Sequence, residues 1–508
     1  MKKQNNVLGF LSLEKVFCFL LCIMPLVLYF SYWPVIALGS NETMNFELSL
    51  PLIWLVIFDI TAAVLVFNKK KTKEIIRGWK WLVFPVFLTL TLAYTRDFAR
   101  GVLEMGVVWL LYIAVLGTSV LWREVCNDGV RRMFWRVFFG AALASCVWCV
   151  VQCILDVAGM EQAKTLLCDG CVYKVFGFPH PNGWAAEPQF MGNLLLLPTM
   201  VSAYFAFMRS EKERAGLGFL SFRFLLVCFL VFVATIFLTM SRGAIYALVA
   251  GAVVLTIMEI WQMRRCRVLW LWPVMLVGFL LALNLQGVLA EVSPTDDTYI
   301  SGISKVINQV TLGVVDVGGS QVKKNELTER ADGEMRDVMD ETEDELSTQL
   351  DGEVVGTAGE GAVFDGYVEA STDLRLLMWR AALKTWKQNP QTIMFGVGIG
   401  GAQRAMYEYG AIDTTREIIN NEYITILLET GVVGVVLFAV TLVTVALVVL
   451  NRCGVAVPVL FGVMMAYAVS LCFFSGLPNA LHIVLFPLML VAMWYNSDKK
   501  LDKREKGG

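Results

Sequence analysis

The residues in this chain that could do chemistry are few and lie near expected helix ends. From Asp373 onward, Leu376, Trp379, Leu383 and Trp386 recur at spacings of three and four, with Arg380, Lys384 and Lys387 on the adjoining stripe and Arg375 at the start. This pattern predicts a basic amphipathic helix over 373–388, capped by Ser371, Thr372 or Asp373 and ended by Asn389-Pro390. Such a helix is suited to lie along a membrane interface. There it either rests on headgroups or presents Arg375 or Arg380 to an anionic, lipid-linked substrate. The run Gly396-Val397-Gly398-Ile399-Gly400-Gly401 can bring backbone close to a ligand. It lacks the strand–turn–helix context of a nucleotide fingerprint. A tight turn at Ser241-Arg242-Gly243 and a Pro/Gly/Asn-rich loop over 157–186 are the other polar features among apolar runs.

Two histidines in the whole chain, His180 and His482, argue against a His-rich metal site. No cofactor is expected. Cys168 and Cys171 could close a small disulfide in an oxidising compartment. Asp59 and Glu104 are intramembrane or near-membrane acids, which are functional hypotheses by default.

The elements that position these residues must form a membrane bundle. Hydrophobic residues make up 57% of the 508 and charged residues only 17%, well below the roughly 25% charge of a soluble domain. Soluble enzymes, coiled coils and disordered proteins are thereby excluded. Apolar runs long enough for membrane helices are expected at 16–38, 49–67, 80–95, 102–122, 134–156, 187–208, 219–239, 243–263, 268–288, 422–449, 454–474 and 479–496. The first is read as a span and not as a cleavable signal peptide. The fold class expected is all-α and polytopic, with spans one to nine in 1–288, an outward segment 289–421, spans ten to twelve in 422–496 and a basic cytoplasmic tail 497–508. Lys and Arg gather in alternate connections, so both termini are expected to be cytoplasmic and 289–421 to lie outside the cytoplasmic (inner) membrane.

Charge is unevenly placed. Residues 321–370 hold fifteen Asp and Glu against four Lys and Arg; without them the chain carries nine more basic than acidic residues, against a net of −2 for the whole. That stretch buries too little apolar area to offset its ordering entropy, and is expected to be disordered or a solvated helix.

Four short blocks, taken together, resemble the O-antigen ligase-related family of bacterial O-antigen ligases and polymerases. Thr239-Met240-Ser241-Arg242-Gly243-Ala244 is similar to its Ser-Arg-Gly element. Arg375 through Trp379, then Asn389-Pro390 and Gly396 through Gly400, resembles its Arg-x-x-x-Trp … Pro … Gly-x-Gly block. Asn420-Asn421-Glu422-Tyr423 with Leu427-Leu428-Glu429-Thr430-Gly431 resembles its His-Asn-x-Tyr … Glu-x-Gly block. Phe178-Pro179-His180-Pro181-Asn182 and Glu187-Pro188 resemble a looser element before span six.

The resemblance implies a metal-independent glycan transferase that moves an undecaprenyl-diphosphate-linked glycan to a sugar or lipid acceptor among membrane lipids, with no nucleic acid involved. It implies catalytic roles for Arg242, Arg375, Asn420, Glu187 and His180, and substrate contacts from Arg380, Asn182, Asn421, Gly398 and Gly400. Arginine suits a diphosphate leaving group because its planar, always-charged fork donates bidentately. The chain departs from the family at Asn420, where ligases have His. An amide is a poor general base, so either the protein is polymerase-like or His180 or Glu187 supplies the base. Two rivals are a lipid-oligosaccharide flippase or transporter, which would need charges at the membrane midplane, and a membrane scaffold or sensor.

Overall fold

A computed structural model describes residues 12–30, 34–40, 45–72, 82–158, 181–185, 187–208, 217–263, 266–292, 298–311, 364–412, 414, 418–474 and 481–495. Outside them lie His180, Cys168, Cys171, the tail 497–508 and the acidic stretch up to residue 363.

The helices are α1 (Leu13–Tyr29), α2 (Leu50–Asn68), α3 (Val83–Thr91), α4 (Phe98–Val125), α5 (Asp128–Val157), α6 (Pro188–Phe207), α7 (Phe222–Leu238), α8 (Arg242–Met263) and α9 (Leu271–Val292). They continue with α10 (Tyr299–Thr311), α11 (Phe364–Trp386), α12 (Pro390–Phe395), α13 (Ala402–Glu408), α14 (Glu422–Arg452), α15 (Val457–Ser470) and α16 (Leu481–Trp494). Each expected apolar run holds a helix. Among the described residues seven helices are long and apolar enough to cross a membrane: α2, α4, α5, α6, α8, α9 and α14. The runs of α3, α7, α15 and α16 are apolar but shorter. The chain is a helical, multi-pass membrane protein.

Two expectations need correction. The first span was expected to reach residue 38, but α1 ends at Tyr29, and β1 (Pro34–Ser40) pairs antiparallel with β2 (Asn45–Ser49). Pro34 cannot donate the backbone hydrogen bond a continuing helix needs, and it biases the residue before it toward extended backbone. The amphipathic helix was expected to begin at 373, but α11 begins at Phe364. A capping residue type permits a helix start without forcing one, and between 364 and 373 only Gly366 weakens the helix.

The centre of the bundle is α6. Every residue from Phe190 to Ala206 is buried, as expected of a helix that is apolar all round. It packs against α5, α7, α8, α15 and α16. Close helix crossings use small residues: a Cβ on Gly251 of α8 would meet the Gly462 carbonyl of α15 at 2.8 Å and the Ala466 Cβ at 2.9 Å. Such contacts suit a membrane bundle, where lipid tails are as apolar as leucine and close packing holds helices together. At the periphery Val436, Val440, Val443 and Leu447 form an exposed stripe on α14.

A second, smaller core lies beside the bundle. Met378, Ala381 and Ala382 of α11 pack on Val397, Ala402, Ala405, Met406, Ile412, Ile419 and Leu428. The face of α11 that is buried is therefore rotated from the expected stripe, and Leu376 is exposed. Trp379 and Trp386 donate their indole N–H groups to the carbonyls of Ile419 (3.1 Å) and Ile393 (3.2 Å). These two Trp therefore bind the protein's own chain.

Candidate functional site

Three helix N-termini meet around one turn, Leu471-Cys472-Phe473-Phe474, at the end of α15. The first belongs to α6. Glu187 has extended backbone and Pro188 opens the helix, a favourable N1 residue because its missing N–H would be unsatisfied there anyway. Gln189 Nε2 donates to the Phe473 carbonyl at 2.8 Å, and the Phe190 and Phe474 rings meet edge-on at 4.9 Å.

The second belongs to α8. Met240 takes a left-handed backbone (φ 53°) that non-glycine residues rarely adopt. It reverses the chain so that Arg242 is the first helical residue, 8% exposed. The Ala244 N–H donates to Ser241 Oγ at 3.4 Å. Gly243 lies under the turn: a Cβ there would meet Phe473 Cβ at 2.9 Å. One turn along, the Tyr246 ring sits 5.8 Å from that of Phe473, and its hydroxyl donates to the Val310 carbonyl of α10 at 2.9 Å.

The third belongs to α14. Asn421 caps it, with Oδ1 accepting from the Ile424 N–H (3.1 Å) and Nδ2 donating to the Cys472 carbonyl (3.1 Å). The Glu422 N–H donates to the carbonyls of Leu471 (2.9 Å) and Phe474 (3.0 Å). Tyr423 donates to the Ala468 carbonyl at 2.8 Å. Just before the cap, Asn420 has φ 52°, a left-handed conformation that Asn and His both tolerate better than most residues.

The charge of Arg375 on α11 also acts on Glu187. Burial pushes the Glu187 carboxyl above the ordinary carboxylate range, and Arg375 pulls it partly back. Helix N-termini each carry roughly half a positive charge. Three of them, one begun by Arg242, make a place suited to a multiply charged anion.

Not all the expected site residues gather here. Arg380 is exposed on α11. Asn182 is buried and accepts from Gln152 Nε2 at 3.0 Å, anchoring its loop on α5. Asn421 uses both ends of its amide as cap and clamp. The glycines approach the protein itself. A Cβ on Gly398 (φ 89°) would strike the Thr95 backbone, and one on Gly400 (φ 72°) would meet Gly101 N at 2.6 Å. Residues 394–401 are knotted onto the 91–101 turn and onto α14: Thr95 Oγ1 donates to the Ile399 carbonyl at 2.7 Å, while Val397 and Gly398 N–H groups donate to the carbonyls of Leu428 and Glu429, both at 2.9 Å. Those carbonyls are freed because α14 breaks at Gly431 (φ 64°, ψ −168°).

Sequence reasoning missed the 471–474 turn, which contributes backbone carbonyls and apolar side chains and so carries no compositional signal. It also missed Gln189, whose signal was its place next to Glu187-Pro188. Arg100, paired with Glu104 beneath α14, was missed as well.

Residues 225–439 match the family described as O-antigen ligase, a region that runs from α7 into α14 and includes Arg242, Arg375 and Asn420. Glu187, Gln189 and the 471–474 turn lie outside the matched region. No curated protein matches the chain.

Proposed function

As a member of the O-antigen ligase-related family, the chain is, we propose, a metal-independent transferase that moves a glycan from undecaprenyl diphosphate to a hydroxyl of a sugar or lipid acceptor on the outer face of the cytoplasmic membrane. The observation that carries this reading is the convergence of three helix N-termini, with Glu187 and Arg242 at two of them and the charge of Arg375 acting on Glu187. In the reaction the acceptor O–H bond breaks, its oxygen forms the new glycosidic bond, and the bond from the donor sugar to the diphosphate breaks.

Arg242 and Arg375 hold the diphosphate and stabilise the charge that grows on it as the bond opens. Glu187 takes the acceptor proton. Its buried carboxyl favours the protonated form, so it is a stronger base than a solvated carboxylate. When the diphosphate engages Arg375, the pull of that arginine on Glu187 weakens, and the base strengthens at the moment it is needed. Asn420 orients the acceptor hydroxyl by donating and accepting hydrogen bonds. Asn421 and the glycines at 398 and 400 set the position of α14 and make no substrate contact in this scheme.

The deciding experiment is transfer of lipid-linked glycan by the purified protein in proteoliposomes. Formation of acceptor-linked glycan and free undecaprenyl diphosphate, undiminished by EDTA, is expected. Movement of intact lipid-linked glycan across the bilayer without transfer would replace this reading with that of a flippase.

A further inference from the structure

Arg242 stands where α8 begins, and the residue that sets this beginning is held in a backbone it would not choose alone. Met240 has φ 53°. A left-handed backbone strains a residue with a side chain, and it persists only where the surroundings over-determine it. Here the surroundings are α9 and α10. Met240 is 3% exposed and packs in one cluster with Leu283 and Ala290 of α9 and Val306 of α10.

α10 can serve as a brace because it is itself mounted on α9. A Cβ on Gly302 would meet the Ala290 Cβ at 2.7 Å, and the Tyr299 hydroxyl donates to Asn284 Oδ1 at 2.7 Å. At the other end of α10 the last carbonyls have no partner within the helix. One of them, that of Val310, accepts from the Tyr246 hydroxyl at 2.9 Å. Tyr246 comes four residues after Arg242 on α8, about one turn along and on the same side of the helix. Its ring lies 5.8 Å from that of Phe473. Tyr246 thus ties the first turn of α8 to two separate elements, α10 through its hydroxyl and the 471–474 turn through its ring. The proposed reaction gives it no chemical task.

We infer that Tyr246 is a positioning residue for Arg242. α10 holds Met240 in its left-handed backbone and binds the Tyr246 hydroxyl, and the two contacts together fix where Arg242 enters the site. Tyr246 acts through Arg242 and not on the reacting atoms. An arginine that stabilises charge growing on a leaving group must be aimed closely, since a misplacement of about 1 Å can cost about a hundredfold in rate. The effect on transfer rests on the function proposed above; the brace itself does not.

Hydrogen exchange of the full-length protein in lipid tests the brace without reference to transfer. Tyr246→Phe keeps the ring and loses the hydroxyl, while Val306→Ala thins the packing on Met240. Each should speed exchange of the amides over 240–246 about tenfold and leave those of α6 unchanged. Transfer in proteoliposomes then reads the consequence. Tyr246→Phe should lower kcat about tenfold and keep KM for the lipid-linked donor within about twofold, the pattern of an interaction made chiefly in the transition state. Added to Arg242→Lys it should cost about twofold or less, because the contact it aims is already lost; added to Arg375→Lys the two losses should multiply. Unchanged exchange over 240–246 in both variants, or losses that multiply with Arg242→Lys as well, would overturn the inference. Faster exchange in both variants of a protein whose wild type transfers no glycan would refute the function proposed above and leave the brace in place.

Discussion

The turn at 471–474 and the knot at 394–401 both fasten α14 by backbone hydrogen bonds, yet they leave very different surroundings. At the turn, the carbonyls of Leu471, Cys472, Phe473 and Phe474 receive donors from α6 and α14. Charged residues stand at two of those helix starts, Glu187 before α6 and Arg242 at the first position of α8. At the knot, glycine backbone lies directly on the backbone of the 91–101 turn and of α14, with no space for even a methyl group. In sequence the two regions offer similar cues, Gly and Asn near helix ends. What separates them is what meets the backbone: polar helix starts at the turn, and other backbone at the knot.

Substitutions should divide along the same line, with chemistry failing at the first region and folding at the second. The largest effect is expected for Arg242→Ala and Arg375→Ala, each lowering transfer about a thousandfold, with normal insertion and thermal stability. Lys at either position should rescue only in part, since the bidentate fork is lost. Near wild-type rates in either Ala variant would remove that arginine from the site.

Glu187→Gln should lower transfer about a hundredfold by removing the base. Because burial raises the Glu187 pKa, transfer should rise with pH through a limb above the ordinary carboxylate range. Arg375 opposes that shift, so in the slow Arg375→Ala variant the limb should move to higher pH, whereas Arg375→Lys, which keeps the charge, should leave it nearly in place. A limb that stays in place when Glu187 is changed to Gln would assign the titration to another group.

At the knot the expected effect is on the protein and not on the reaction. Gly398→Ala should cost several kcal/mol through the left-handed backbone and the collision with Thr95, read as a lower unfolding temperature in detergent. If Gly398→Ala were as stable as the wild type but bound donor more weakly, the glycine run would belong with the substrate after all.

The smallest effect is expected at Asn420. Its φ of 52° means that Ala combines loss of the amide with about 1–2 kcal/mol of backbone strain. Asn420→Gly, which tolerates this backbone, isolates the amide. A loss of about tenfold or less is expected there, and near wild-type transfer in Asn420→His. Equal loss in the Gly and His variants would show that the amide itself is required.

Sequence alone determined the membrane class and the apolar runs that become helices, and it singled out the charged residues that stand near helix starts. Hydropathy and charge are carried by each residue wherever the chain goes, so Arg242, Glu187 and Arg375 could be singled out while their separation in space was undecided. Tertiary structure decided everything that depends on what lies opposite. It brought Glu187 under the charge of Arg375, turned α11 so that Met378 and Ala382 face inward, and tied Asn182 to Gln152. It also gave the glycines at 398 and 400 to the protein's own backbone. The turn at 471–474 was illegible because its contribution is carbonyl oxygen, which every residue possesses. A backbone acceptor acquires meaning only when a fold aims a donor at it.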